Sequence, residues 1–153
     1  MQKVAKSSID KISPDDYQEL ISLWEDSVRA THNFLTEEDI VFYRALILNT
    51  YFDLVNLKCV RDSTGAILGF IGTTPGKIEM LFIRPEARGM GIGKQLVKYA
   101  VNSLNVQRVD VNEQNDQAVG FYYAMGFKLE NRSPIDGMGK PYPILHMMID
   151  HSN

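Results

Sequence analysis

With 153 residues, 44% of them hydrophobic and 23% charged, the chain has the size and composition of one globular domain with a substantial core. A net charge of −3 and an isoelectric point near 5.6 argue against the basic surface of a dedicated nucleic-acid binder. The single cysteine, Cys59, excludes an intrachain disulfide framework and a cysteine zinc site, and its neighbours Leu57 and Val60 suggest a buried strand thiol. The opening residues, MQKVAKSSIDKI, lack an apolar core of signal-peptide length, and no apolar run approaches the ~20 residues that span a bilayer. The expectation is a cytoplasmic protein without a membrane partner, with residues 1–153 forming one domain.

In chain order, residues 7–12 alternate weakly and predict an edge strand. Ser13-Pro14-Asp15-Asp16 reads as a helix start, with Ser13 as cap and Pro14 at the first helical position. Tyr17, Leu20, Ile21, Trp24 and Val28 follow at helical spacing. A second start at Thr36-Glu37-Glu38-Asp39 precedes a stripe of Ile40, Tyr43 and Ile47. Residues 54–61 and 66–73 predict two strands joined by a turn at Asp62-Ser63-Thr64-Gly65, and 78–83 a third after Pro75-Gly76-Lys77. A glycine-rich loop opens an amphipathic helix marked by Ile92, Leu96, Val97, Ala100, Val101 and Leu104. Residues 106–111 predict a strand, 115–125 a helix, 127–132 and 144–149 two strands, with a long loop at 133–143. The order β-α-α-β-β-β-α-β-α-β-β gives an α/β fold, a mixed sheet with helices on its faces.

The loop RPEARGMGIGKQL, residues 84–96, places glycines at 89, 91 and 93 beside Arg88 and Lys94. Such a loop presents unpaired N–H groups and the positive end of a helix dipole, while glycine lets a bulky anion approach the backbone. A Walker A loop fails here because Gln95 follows Lys94 and Arg88 stands where the first glycine belongs. A dinucleotide fingerprint fails because Lys94 occupies its third glycine. The pattern [RQ]-x-x-G-x-[GA] fits Arg88, Gly91 and Gly93.

In its context, IEMLFIRPEARGMGIGKQL, this loop resembles the strand–loop–helix signature of the GNAT superfamily of N-acetyltransferases. Asn115, Ala118 and FYYAMGF at 121–127 resemble that family's second motif. THNFL at 31–35, NEQND at 112–116 and GKPYPILHM at 139–147 resemble a bacterial subgroup, the YjaB-like acetyltransferases. The resemblance implies acetyl-CoA as cosubstrate, its pyrophosphate on the N–H groups of Gly89, Met90, Gly91, Ile92, Gly93 and Lys94. It also implies a carbonyl bond to the backbone N–H of Leu81, at a bulge in the strand, and strand-like pairing of the cofactor arm with Ile83. Asn115 is expected to touch the cofactor, to cap the following helix, or both.

Acetylating an amine requires a neutral nitrogen, a polarised carbonyl and a proton for the leaving thiolate. Tyr122 matches the family's catalytic tyrosine and is the candidate acid, although a Phe-Tyr-Tyr cluster on a helix also reads as core. Glu79, conspicuous in an apolar strand, is the candidate base, and strand alternation places it on the face of Leu81. Base work by His32 or by a water chain stays open. The family's acceptor side corresponds to residues 24–40 and 133–146, with Trp24, His32, Phe34 and Tyr142 as candidate substrate contacts. His146 reads as structural, and His32, His146 and His151 lack metal-ligand spacing, so no metal is expected. The expected activity is direct acetyl transfer to a primary amine, on a small molecule or on a protein lysine or N-terminus, by a monomer or homodimer. A non-catalytic acetyl-CoA-binding module is the alternative.

Overall fold

The structure is a computed structural model that describes residues 8–149. Ser7, where the first predicted strand begins, and His151 lie outside the described residues. The element order is β1 (Asp10–Lys11), α1 (Tyr17–Thr31), α2 (Glu37–Asn49), β2 (Asn56–Arg61), β3 (Ile67–Thr74), β4 (Lys77–Ile83), α3 (Ile92–Ser103), β5 (Arg108–Asn112), α4 (Asp116–Ala124), β6 (Phe127–Ser133) and β7 (Ile144–Ile149). This is the predicted order, with two local differences. The first strand is only two residues long, and Pro14–Asp16 form a 3-10 turn ahead of α1. That turn is still stitched as a cap, because the Ser13 N–H donates to Asp16 Oδ2 at 3.0 Å. At α2 the cap is reciprocal. Asp39 N–H donates to Thr36 Oγ1 at 3.0 Å, and Thr36 N–H to Asp39 Oδ2 at 3.4 Å.

One seven-stranded sheet runs in the order β1-β2-β3-β4-β5-β7-β6. Its two faces bury separate cores. Leu20, Trp24, Phe52 and Phe70 lie in the core under α1 and α2. Ile71, Leu96, Val109 and Phe127 lie in the core under α3 and α4. The helical stripes read from the sequence therefore end up on opposite faces of one sheet, and each closes its own apolar layer.

The fold turns on β4. Gly72 pairs with Met80 and Thr73 with Ile78, so Glu79 is an extra residue in the strand, a β-bulge. The bulge resets the alternation. Ile78 and Leu81 both pack on the α3/α4 core, whereas Met80 and Phe82 pack on the other. The expectation that Glu79 shares a face with Leu81 is thereby corrected. Glu79 is bonded to Thr74 Oγ1 at 2.7 Å and lies 3.8 Å from the Lys77 ammonium, and Lys77 faces away from its neighbour Ile78. Beyond the bulge the neighbouring strand departs. β4 pairs with β5 in parallel only at Lys77↔Arg108 and Ile78↔Val109, and then the strands diverge.

α3 sits tightly on β3 and β4 because position 69 has no side chain. A Cβ on Gly69 would stand 2.7 Å from Ile83 Cδ1 and 2.9 Å from Ile92 Cγ2. Gly69→Ala is expected to overpack this seam and lower stability by about 1–3 kcal/mol. Urea unfolding is the check, with a lower midpoint at unchanged slope as the expected result.

Candidate active site

The split between β4 and β5 opens a cavity of about 390 Å³. Glu79, Leu81 and Ile83 of β4 line it, with Asn115 from the cap of α4 and Tyr122 from that helix. Arg88 and Gly93 contribute from the loop and the first turn of α3. With His32, which also lines it, eight of the residues singled out in the sequence meet in one space, although 43 positions separate Glu79 from Tyr122.

The loop explains its own composition. Gly89 and Gly91 have φ of +81° and +82°, a left-handed conformation that other residues adopt only under strain. An added Cβ at either would meet nothing within 4 Å, so conformation, rather than crowding, requires glycine there. Gly91 caps α3, and the first turn-closing bond runs from Gln95 N–H to Gly91 O at 3.0 Å. The N–H groups of Ile92, Gly93 and Lys94 precede that bond and have no carbonyl behind them in the helix. Ile92 offers only its backbone, because its side chain is buried in the core. Met90 and Lys94 are exposed, and neither lines the cavity. This backbone suits a phosphate group. The far end of the same cavity suits an amide-bearing chain, since Asn112 Oδ1 is buried there without a partner.

Desolvation sets the protonation of two groups. Tyr122 is buried, its ring packed edge-on against Phe121 and Phe127 at 5.1 and 5.4 Å. Burial pushes its hydroxyl far above the ordinary phenol value, so it stays protonated. Burial, with Arg88 nearby, pushes His32 down to about 4, so its imidazole is neutral. Its Nδ1 lies 2.7 Å from Thr31 Oγ1 and its Nε2 lies 3.5 Å from Asn115 Nδ2. Asn115 meets the expectation of a helix cap. Its Oδ1 accepts from Ala118 N–H at 3.2 Å as a helix cap, and its side chain also lines the cavity.

His32 also borders a second cavity of about 180 Å³, beside Trp24, Tyr43, Asp136 and Tyr142. Phe34 does not line it. It stacks between His32 and Tyr142, at centroid distances of 5.3 and 5.7 Å. Tyr142 donates a short hydrogen bond to Asp39, which also holds the Lys140 ammonium at 3.1 Å. The Tyr142 bond leads the causes that hold the Asp39 carboxyl at about 2. Tyr43 makes a second short bond, to Asp136. Sequence reasoning missed Tyr43, Asn112 and Asp136. Only the NEQND and loop segments that carry the last two gave any signal.

A polar chain crosses the sheet beside the first cavity. Lys77 Nζ donates to Asp110 Oδ2 at 2.7 Å, Asp110 Oδ1 faces His146 Nδ1 at 2.7 Å, and His146 Nε2 faces Ser133 Oγ at 2.7 Å. Burial pushes the Asp110 carboxyl up, but its bonds to Lys77 and His146 outweigh that and leave it below the usual value. His146 therefore stitches β5, β7 and β6 together.

Comparison with known proteins places this geometry. Residues 48–138 match the family model described as "Acetyltransferase (GNAT) domain". The peptidyl-lysine N-acetyltransferase YjaB of Salmonella typhimurium is 41% identical over 138 residues, covering 88% of this chain and 92% of that protein. The solution structure of apo YjaB from Escherichia coli superposes with a TM-score of 0.85 at 36% identity, covering 92% of this chain and 95% of that one. A Thermoplasma acidophilum PaiA N-acetyltransferase crystallised with coenzyme A shares the fold at a TM-score of 0.72, with 24% identity and 91% and 96% coverage.

Gly91→Ala is expected to weaken acetyl-CoA binding about tenfold through left-handed strain of ~1–2 kcal/mol. Calorimetric titration measures it, and an unchanged Kd would remove the loop from the site. His32 yields a pH signature. Its imidazole binds a proton near pH 6.5 in the unfolded chain but only near 4 in the fold, so stability should fall as pH drops through that window. Urea melts of the wild type and of His32→Gln at about pH 7 and about pH 5 test this, the variant losing less on acidification.

Proposed function

The chain belongs to the GNAT acetyltransferase family and transfers acetyl from acetyl-CoA to a primary amine, and we propose that this amine is a lysine side chain of a protein. The second cavity carries the proposal. It is narrow, walled by Trp24, Tyr43 and Tyr142, and adjoins the first cavity at His32, Asn112 and Ile144. Aromatic walls suit the four-methylene stem of lysine, whose charged head seeks a polar end. Asp136 supplies a carboxylate in that wall. The peptidyl-lysine activity of the two YjaB relatives points the same way.

When bound, acetyl-CoA supplies an activated acetyl thioester. The chain's own residues hold and prepare it. The glycine loop and Arg88 take the phosphates. Past Ile78 the β5-side edge of β4 has no strand partner, so backbone groups at Leu81 and Ile83 are available to an extended arm. Leu81 N–H is the donor assigned to the carbonyl. Tyr122, kept protonated by burial, donates to the departing sulfur. His32, kept neutral by burial beside Arg88, serves to orient the acceptor. Glu79, exposed at the cavity edge, takes that proton and passes it to solvent. Transfer is direct, with no acyl-enzyme. The same reading places the enzyme in the cytoplasm as a single domain, monomeric or homodimeric.

Thiol release from acetyl-CoA, followed with lysine peptides and with small polyamines, tests the acceptor. Lysine peptides should give the higher kcat/KM, and a clear preference for polyamines would overturn the proposal. Tyr122→Phe should lower kcat on the preferred acceptor by about 10²-fold, with KM for acetyl-CoA little changed.

A further inference from the structure

We propose that Lys77 is an acetyl acceptor in cis, so that the enzyme acetylates its own active cleft. This inference rests on the protein-lysine reading above. Lys77 Nζ lies 2.7 Å from Asp110 and 3.8 Å from Glu79, and both carboxylates line the 390 Å³ cavity that Tyr122 also lines. Lys77 opens β4, and its pairing with Arg108 is the first of the two pairs before the strands part. Its ammonium therefore stands at the apex of the split, beside the carboxylates that an incoming lysine would meet. Its side chain is about one-third exposed, which leaves Nζ room to move. Lys140, the other lysine held by a carboxylate on the acceptor side, differs here. It binds Asp39, which lines neither cavity.

The chemistry balances within the known reaction. Nζ loses one proton and forms a bond to the acetyl carbonyl carbon. The carbon–sulfur bond breaks, and the sulfur leaves as the thiol of CoA after taking up a proton. Burial and Arg108 oppose the ammonium, but Asp110 and Glu79 together outweigh them, and His146 faces the far oxygen of Asp110. Deprotonation therefore limits the step, and the mark should form faster as pH rises from about 7 to about 9. The product is neutral. It removes a positive charge beside the acceptor route and frees both carboxylates for another ammonium.

The experiment incubates the purified full chain with acetyl-CoA and reads each lysine by peptide mass spectrometry over time. A lysine peptide in the same tube reports transfer to an outside acceptor. Lys77 should be acetylated about tenfold faster than any other lysine of the chain, because its place beside the two cavity-lining carboxylates raises its effective concentration. Diluting the protein tenfold should leave the rate per molecule unchanged. Acetyl phosphate, which reacts without the cofactor site, should not single out Lys77. Lys77→Arg should lose the mark and still acetylate the peptide. Peptide acetylation with Lys77 unmodified overturns the self-acetylation alone. A rate that scales with protein concentration overturns transfer in cis. Absence of transfer to both peptide and Lys77 overturns this inference together with the lysine reading.

Discussion

Two backbone pairs hold β4 to β5, Lys77 with Arg108 and Ile78 with Val109, and then the sheet opens in its middle. An open edge inside a sheet is expensive, because its N–H and C=O groups need partners. Most folds would avoid it. Here the bulge at Glu79 turns β4 away, and β5 is held on its other side by five pairs with β7. The resulting gap is walled by two cores and floored by Ile78 and Val109. It has the shape of a missing strand, and an extended cofactor arm has the hydrogen-bonding pattern to fill it. On the proposed reading, binding the cosubstrate would complete the sheet.

The same burial that makes the cores sets the protonation of the cleft. Tyr122 and His32 approach the cavity from opposite sides of the sheet, one on α4 and one at the end of α1. Desolvation acts on both toward the neutral form, raising the phenol and depressing the imidazole. One becomes a donor that does not ionise, the other an acceptor that does not charge. The charged groups are kept at the apex instead, where Glu79, Lys77 and Asp110 neutralise one another at the edge of solvent. The cavity is thus lined by neutral and by ionic groups together.

The sequence made the element order and the cofactor side legible because both rest on local chemistry. The stripes of α1 and α3, the Thr36 cap and the glycine loop are patterns within a dozen residues, and they survive in the fold. The residues alone did not show the bulge; the family resemblance implied one at Leu81, and the strand pairing puts it two residues earlier, at Glu79. Met80, Leu81, Phe82 and Ile83 are all apolar, so either register reads alike, and only the pairing of β3 with β4 reveals the extra residue at Glu79. The two-residue β1 escaped for the opposite reason, since weak alternation over 7–12 does not say how much of it pairs. Asn112 carried a signal only through its segment. That its Oδ1 would be buried without a partner depends on four elements meeting around it.

The acceptor side was the least legible part, and its construction explains why. Its wall is made by short bonds from Tyr142 to Asp39, 103 positions apart, and from Tyr43 to Asp136, 93 positions apart. No local pattern predicts which tyrosine finds which carboxylate. Each bond joins α2 to the loop between β6 and β7, so the wall depends on that loop lying against the helix. The cofactor side needs no such closure, since its glycines and helix start lie within one continuous segment. A fold built this way separates its two tasks physically. On the proposed reading, phosphate binding would reside in a loop whose backbone conformation requires glycine. Acceptor choice would reside in a contact between distant segments, where exchange of a few side chains would reshape the cavity without disturbing the split between β4 and β5.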